Sequence, residues 1–143
     1  MIYTPMTKKA MKLAYQAHMG QVDKGGVPYV FHPLHLAEGM RTEESVTVAL
    51  LHDVVEDTPI TLADLAKEGF PHQVLEALEV LTHEPETPYL TYIAQVKQNP
   101  LARVVKLADL QHNQDVTRLD RVDERAKERV NLYREALALL EKF

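Results

Sequence analysis

The chain has 143 residues, with Lys+Arg 16 against Asp+Glu 21, seven His and no Cys, for a formal net charge of −5. That is one domain's worth of chain, enough to bury a core without covalent staples. The missing cysteines exclude disulfides, iron–sulfur clusters and thiolate zinc sites, so any metal must be held by nitrogen and oxygen, and the negative balance gives no general attraction to nucleic acid or anionic membrane.

Helical periodicity dominates. Thr4-Pro5 reads as an N-cap with a first-turn proline, and Met6, Ala10, Leu13, Ala14 and Ala17 then share one face up to a stop at Gly20. Lys8, Lys9 and Lys12 interrupt this segment, so it does not have the form of a targeting signal. Residues 21–31 carry Gly25-Gly26 and Pro28 and read as a loop, with room for a short extended stretch at Tyr29-Val30-Phe31. His32-Pro33 starts a second helix with Leu34, Leu36, Ala37 and Met40 as its apolar content. Glu43 to Asp57 reads as one third helix, apolar on nearly every side through Val46-Thr47-Val48-Ala49-Leu50-Leu51 and therefore buried.

Thr58-Pro59 closes that helix, and Thr61 caps a short one. Pro71, Pro88 and Pro100 each open a further helix, the last carrying Val104, Val105, Leu107 and Ala108. A final amphipathic helix is expected over about Arg121 to Lys142, with Val122, Ala126, Val130, Tyr133, Leu137 and Leu140 on its inner face. No repeat or long linker interrupts the pattern, and no apolar run approaches the roughly 20 residues of a membrane span. The expectation is a single all-α helical domain over residues 1–143, read as cytoplasmic.

The chemistry gathers at the end of the third helix, in His52-Asp53-Val54-Val55-Glu56-Asp57. On a continuous helix these four ionisable groups lie on adjoining stripes of one side. Three carboxylates crowded there repel one another, and burying them unpaired costs several kcal/mol each, so the site wants a cation. Further ligands are sought among polar residues that helix packing does not explain: His32 ahead of Pro33, and Asp109 at the end of Val104-Val105-Lys106-Leu107-Ala108. Two imidazoles and two carboxylates suit six-coordinate Mn²⁺ or Fe²⁺ better than structural zinc. Glu56 and Asp57, one turn on, are placed to orient or deprotonate a water at the metal. His18, His72 and His83 read as structural or surface residues, and His35 as a surface residue or one behind the ligands.

In order, the motifs are Ala17-His18-Met19-Gly20-Gln21, Lys24-Gly25-Gly26-Val27-Pro28-Tyr29-Val30-Phe31-His32-Pro33-Leu34, Leu51-His52-Asp53-Val54-Val55-Glu56-Asp57-Thr58 and Val105-Lys106-Leu107-Ala108-Asp109-Leu110-Gln111-His112-Asn113. Their content and order closely resemble the hydrolase domain of the RelA/SpoT family, within the HD-domain metal-dependent phosphohydrolases. The resemblance implies an HD-domain helical bundle and places the family's metal ligands on His32, His52, Asp53 and Asp109, with Mn²⁺ the usual ion. It puts the acidic pair that activates water on Glu56 and Asp57, and nucleotide contacts on Lys24 and Asn113.

The implied reaction is release of pyrophosphate from the 3′ position of (p)ppGpp, the nucleotide of the stringent response. The implied protein is a small stand-alone hydrolase with a small-molecule nucleotide substrate, with no nucleic acid or membrane partner and a homo-oligomer left open. Where the family has an Arg-Lys pair before the glycine loop, this chain has Asp23-Lys24, and a carboxylate neither stacks on a base as a guanidinium does nor attracts phosphate. Two other readings stay open: an HD phosphohydrolase for a different nucleotide or phosphorylated metabolite, and a metal-bound sensor without catalysis.

Overall fold

The structure is a computed structural model that describes residues 1–113 and 124–142. Helices form wherever the apolar spacing and caps agree. Thr4 caps α1 (Pro5–Ala17) through a reciprocal pair of bonds with Thr7. Gly20, at φ +87, then turns the chain in the left-handed region that a side chain resists. Thr42 and Ser45 make the same reciprocal cap for α3 (Glu43–Leu51), and Thr61 with Asp64 for α5 (Leu62–Lys67). The remaining helices are α2 (Phe31–Glu38), α4 (Val54–Asp57), α6 (His72–Leu81), α7 (Tyr89–Lys97), α8 (Pro100–Asn113) and α9 (Glu124–Glu141).

Among the described residues there is no strand, only an isolated antiparallel bridge between Val22 and Pro28. The extended stretch expected at Tyr29-Val30-Phe31 is absent. Val30 has helical angles, φ −57 and ψ −25, and turn bonds from Phe31 N to Pro28 O and from His32 N to Tyr29 O lead straight into α2.

The core sits around α3, whose residues Ser45 to Leu51 are all buried, against α1, α2, α6 and α8. The third helix expected to run unbroken to Asp57 is interrupted at His52-Asp53, leaving α4 as a single separate turn. At the break the Ala49 carbonyl, the helical partner position for the Asp53 amide, accepts a 2.6 Å bond from His52 Nδ1–H. On α9, which packs on α7 and α8, Leu140 of the expected stripe is buried and Tyr133 and Leu137 are half-buried, Ala136 is buried although the stripe did not include it, and Arg121 and Val122 lie outside the described residues. Val104, counted as apolar helix content, faces solvent on α8, and Val105 fills the core instead.

Candidate active site

Three elements deliver the polar groups. The start of α2 supplies His32, the break after α3 supplies His52 and Asp53, and α8 supplies Lys106, Asp109 and Asn113. His32, His52 and Asp109 are all buried, and one ligand atom from each lies within 4.8 Å of the others. His32 Nε2 stands 2.7 Å and His52 Nε2 3.6 Å from Asp109 Oδ1. Asp53 joins this group through His52, its Oδ2 lying 3.0 Å from His52 Nε2. That approach is close but misaligned, so the buried His52 Nε2 has no hydrogen-bond partner among the described residues. An unpartnered buried nitrogen aimed between two carboxylates is costly unless something binds there. The donor set of two imidazole nitrogens and carboxylate oxygens fits a divalent cation.

The electrostatics agree. Burial alone would lower the His52 pKa, but Asp53 and Asp109 hold it well above the ordinary imidazole value. Asp109 is pushed up by burial and pulled far below the usual carboxylate range by Lys106, whose Nζ lies 3.0 Å from Oδ2, and by the two histidines. Asn113 Nδ2 donates to Asp109 Oδ1 at 3.1 Å, so this carboxylate is held from three sides. The Tyr29 hydroxyl donates to Asp53 Oδ2, tying the glycine loop to the break after α3, and Gln21 Nε2 donates to the Asp57 carbonyl from the same loop.

Beside these groups lies a cavity of about 240 Å³ bordered by Tyr29, Asp53, Glu56, Asp57, Lys106, Asp109 and Asn113, with a wall of Tyr89, Tyr92, Tyr133 and His83. Glu56 and Asp57 face solvent at its rim. Their carboxyls are raised above the ordinary range, first by burial against the cavity wall and then by Asp53. Lys106 points its ammonium toward the Tyr92 and Tyr89 rings, 5.4 and 6.0 Å from their centroids. Burial pushes the Tyr89 hydroxyl up to about 12.

The structure brings His32, His52, Asp53, Asp109, Glu56, Asp57 and Asn113 close to one another. It leaves Lys24 exposed on the loop and off the cavity wall. Asp23 Oδ1 accepts from Gly25 N at 2.8 Å and Val27 N at 3.0 Å, so this carboxylate shapes the glycine loop. Of the histidines set aside, His72 is exposed, but His83 lines the cavity, stacked on Tyr92 at 4.6 Å. His18 is buried against Tyr29, with Nδ1 on Gln21. The aromatic wall gave no signal in sequence, because Tyr89 and Tyr92 at helical spacing read equally well as core.

This helical bundle, with His32, His52 and Asp109 brought together from α2, the α3 break and α8, has the HD-domain fold. A solved structure of similar fold covers 99% of this chain and 88% of its own, with TM-score 0.78 and 21% identity, and is described as a metazoan ortholog of SpoT that hydrolyses ppGpp. No family model matches the chain. The guanosine-3′,5′-bis(diphosphate) 3′-pyrophosphohydrolase of Haemophilus influenzae is 32% identical over 85% of this chain, and the bifunctional (p)ppGpp synthase/hydrolase SpoT of Escherichia coli K12 is 31% identical over 88%. The chain spans 20% of the length of each of these two relatives. By this likeness the chain is similar to one part of the RelA/SpoT family proteins.

Proposed function

We propose that this chain, with residues 1–143 as one hydrolase domain, is a Mn²⁺-dependent hydrolase of the 3′-pyrophosphate of (p)ppGpp, acting on the soluble nucleotide in the cytoplasm. The observation that carries the reading is the cluster of buried His32, His52 and Asp109, whose Asp109 lines one cavity together with Asp53, Glu56 and Asp57. His32, His52, Asp53 and Asp109 would hold the ion, which when bound supplies charge to the phosphoryl oxygens and a lowered pKa to nearby water.

The chain's own groups do the rest. Glu56 and Asp57, with carboxyls raised above their ordinary values, accept the proton of the attacking water. Lys106 keeps Asp109 ionised and places positive charge on the cavity floor. Asn113 fixes Asp109 from the next turn of α8, and Lys24 meets the nucleotide from the loop outside the cavity. One water is consumed, and pyrophosphate leaves with GDP from ppGpp or GTP from pppGpp. The test is pyrophosphate release from ppGpp by Mn²⁺-loaded protein. Absence of turnover in protein shown to carry the metal refutes the substrate assignment.

One observation favours a second substrate within the same chemistry. Asp23 stands where the resemblance leads one to expect a base-stacking arginine, and its carboxylate is engaged by the loop's own amides. An HD phosphohydrolase of a different nucleotide or phosphorylated metabolite fits that substitution. A panel of phosphorylated substrates separates the two, because only the first reading requires preference for a 3′-pyrophosphate.

A further inference from the structure

The two histidines facing the candidate cation site are held from behind in different ways. His52 turns Nε2 to the site and donates Nδ1–H to the main-chain carbonyl of Ala49 at 2.6 Å. His32 turns Nε2 to Asp109, and its Nδ1 lies 2.5 Å from Nδ1 of His112, one turn beyond Asp109 on α8. The His32 and His112 centroids are 4.7 Å apart, with the ring planes 17° from parallel. A face-to-face stack cannot bring two nitrogens to 2.5 Å, so the rings meet edge to edge through those atoms. On the far side the exposed His35 ring lies 4.6 Å from His112.

Chemistry then fixes the protons. A nitrogen that binds a cation carries no hydrogen, so His32 Nε2 at the site requires the proton on Nδ1. That N–H has to donate, and the atom facing it is His112 Nδ1, which must present its lone pair and keep its own proton on Nε2. Ligating histidines usually donate the second N–H to a carboxylate, carbonyl or water. Here an imidazole takes that place.

We propose that His112 is a positioning residue for the cation site: by accepting the His32 Nδ1–H it fixes the tautomer and the angle of His32. The proposal rests on the metal reading above. His112→Phe keeps a ring between His32 and His35 and removes the acceptor, whereas His112→Asn carries an oxygen near the place of Nδ1.

Calorimetric titration of the metal-free proteins with Mn²⁺ should show about 10- to 100-fold weaker binding for His112→Phe. His112→Asn should recover most of that loss. A His112→Phe affinity within twofold of the parent, or a His112→Asn as weak as His112→Phe, overturns the positioning role while the metal site stands. A parent protein that takes up no Mn²⁺ overturns the metal reading and the role together. The tautomers can also be read without any substitution, by imidazole ¹⁵N NMR of the parent loaded with diamagnetic Zn²⁺. Protons on His32 Nδ1 and His112 Nε2 are expected, and a proton on His112 Nδ1 overturns the proposal even if His112→Phe does not fold.

Discussion

Replacing Lys106 with Met tests how the cavity floor is balanced. The ammonium lies 3.0 Å from Asp109 Oδ2, with side chains only 14% and 7% exposed. At an effective dielectric constant of about 20, two unit charges at that distance attract by about 5 kcal/mol, most of which offsets desolvation. Removing one partner leaves the other charge buried without compensation, which costs about 3–5 kcal/mol. His32 and His52 still face Asp109, so the lower end, about 3 kcal/mol, is expected in metal-free protein at pH 7. For a chain of this length that is a fall in Tm of about 10 °C.

The pH dependence has a definite sign. Asp109 has a folded pKa well below its unfolded value, so its contribution to stability is present above the ordinary carboxylate range and is lost as pH falls through the depressed value. Lys106→Met raises that folded pKa. The gap between variant and parent should therefore be widest near neutrality and shrink below about pH 4. Urea unfolding in chelator across this range measures it. A Lys106→Met protein within 1 kcal/mol of the parent at pH 7, or a gap that widens on acidification, refutes the reasoning.

Other consequences are as direct. Thr42→Ala removes the side-chain acceptor for the Ser45 amide at the start of the buried α3 and should cost about 1 kcal/mol in denaturant unfolding. Tyr29→Phe deletes the hydroxyl that holds Asp53; a loss of about 1.5 kcal/mol is expected in chelator, since hydrogen bonds to charged groups run higher than neutral ones. Glu56→Gln keeps shape and removes the proposed base: turnover should drop about a hundredfold or more while Mn²⁺ affinity, measured separately, stays near the parent value.

Much of the fold was legible because helix ends are local chemistry. Thr4 and Thr61 each have a partner three residues on, and Pro5 sets the first turn of α1, so short stretches of sequence decide those boundaries. The break at His52-Asp53 was not legible. Leu51 through Asp57 has no glycine or proline, and it is interrupted where a side chain binds the carbonyl three residues back. The site shows the same division. His52, Asp53, Glu56 and Asp57 declared themselves as polarity at the end of an apolar helix, and Asp109 as a carboxylate among apolar neighbours. His112 did not, since its role depends on His32, 80 residues away. Asp23 shows the converse: read for its charge toward a ligand, it turned out to serve the amides of its own loop.

The interruption between α3 and α4 also sorts the site by how readily its parts open. His52 ends a helix whose every residue from Ser45 on is buried, and its amides should exchange with solvent hydrogen only when the whole bundle unfolds. Glu56 and Asp57 ride on one turn, anchored by the buried Val54 and closed by the bonds from Asp57 N to Asp53 O and from Thr58 N to Val54 O. That turn can fray on its own. On the proposed reading, this sets the cation ligand His52 on a slow-opening helix and the proton-handling acids Glu56 and Asp57 on a fast one, so that the rim can breathe around a substrate while His52 stays in place.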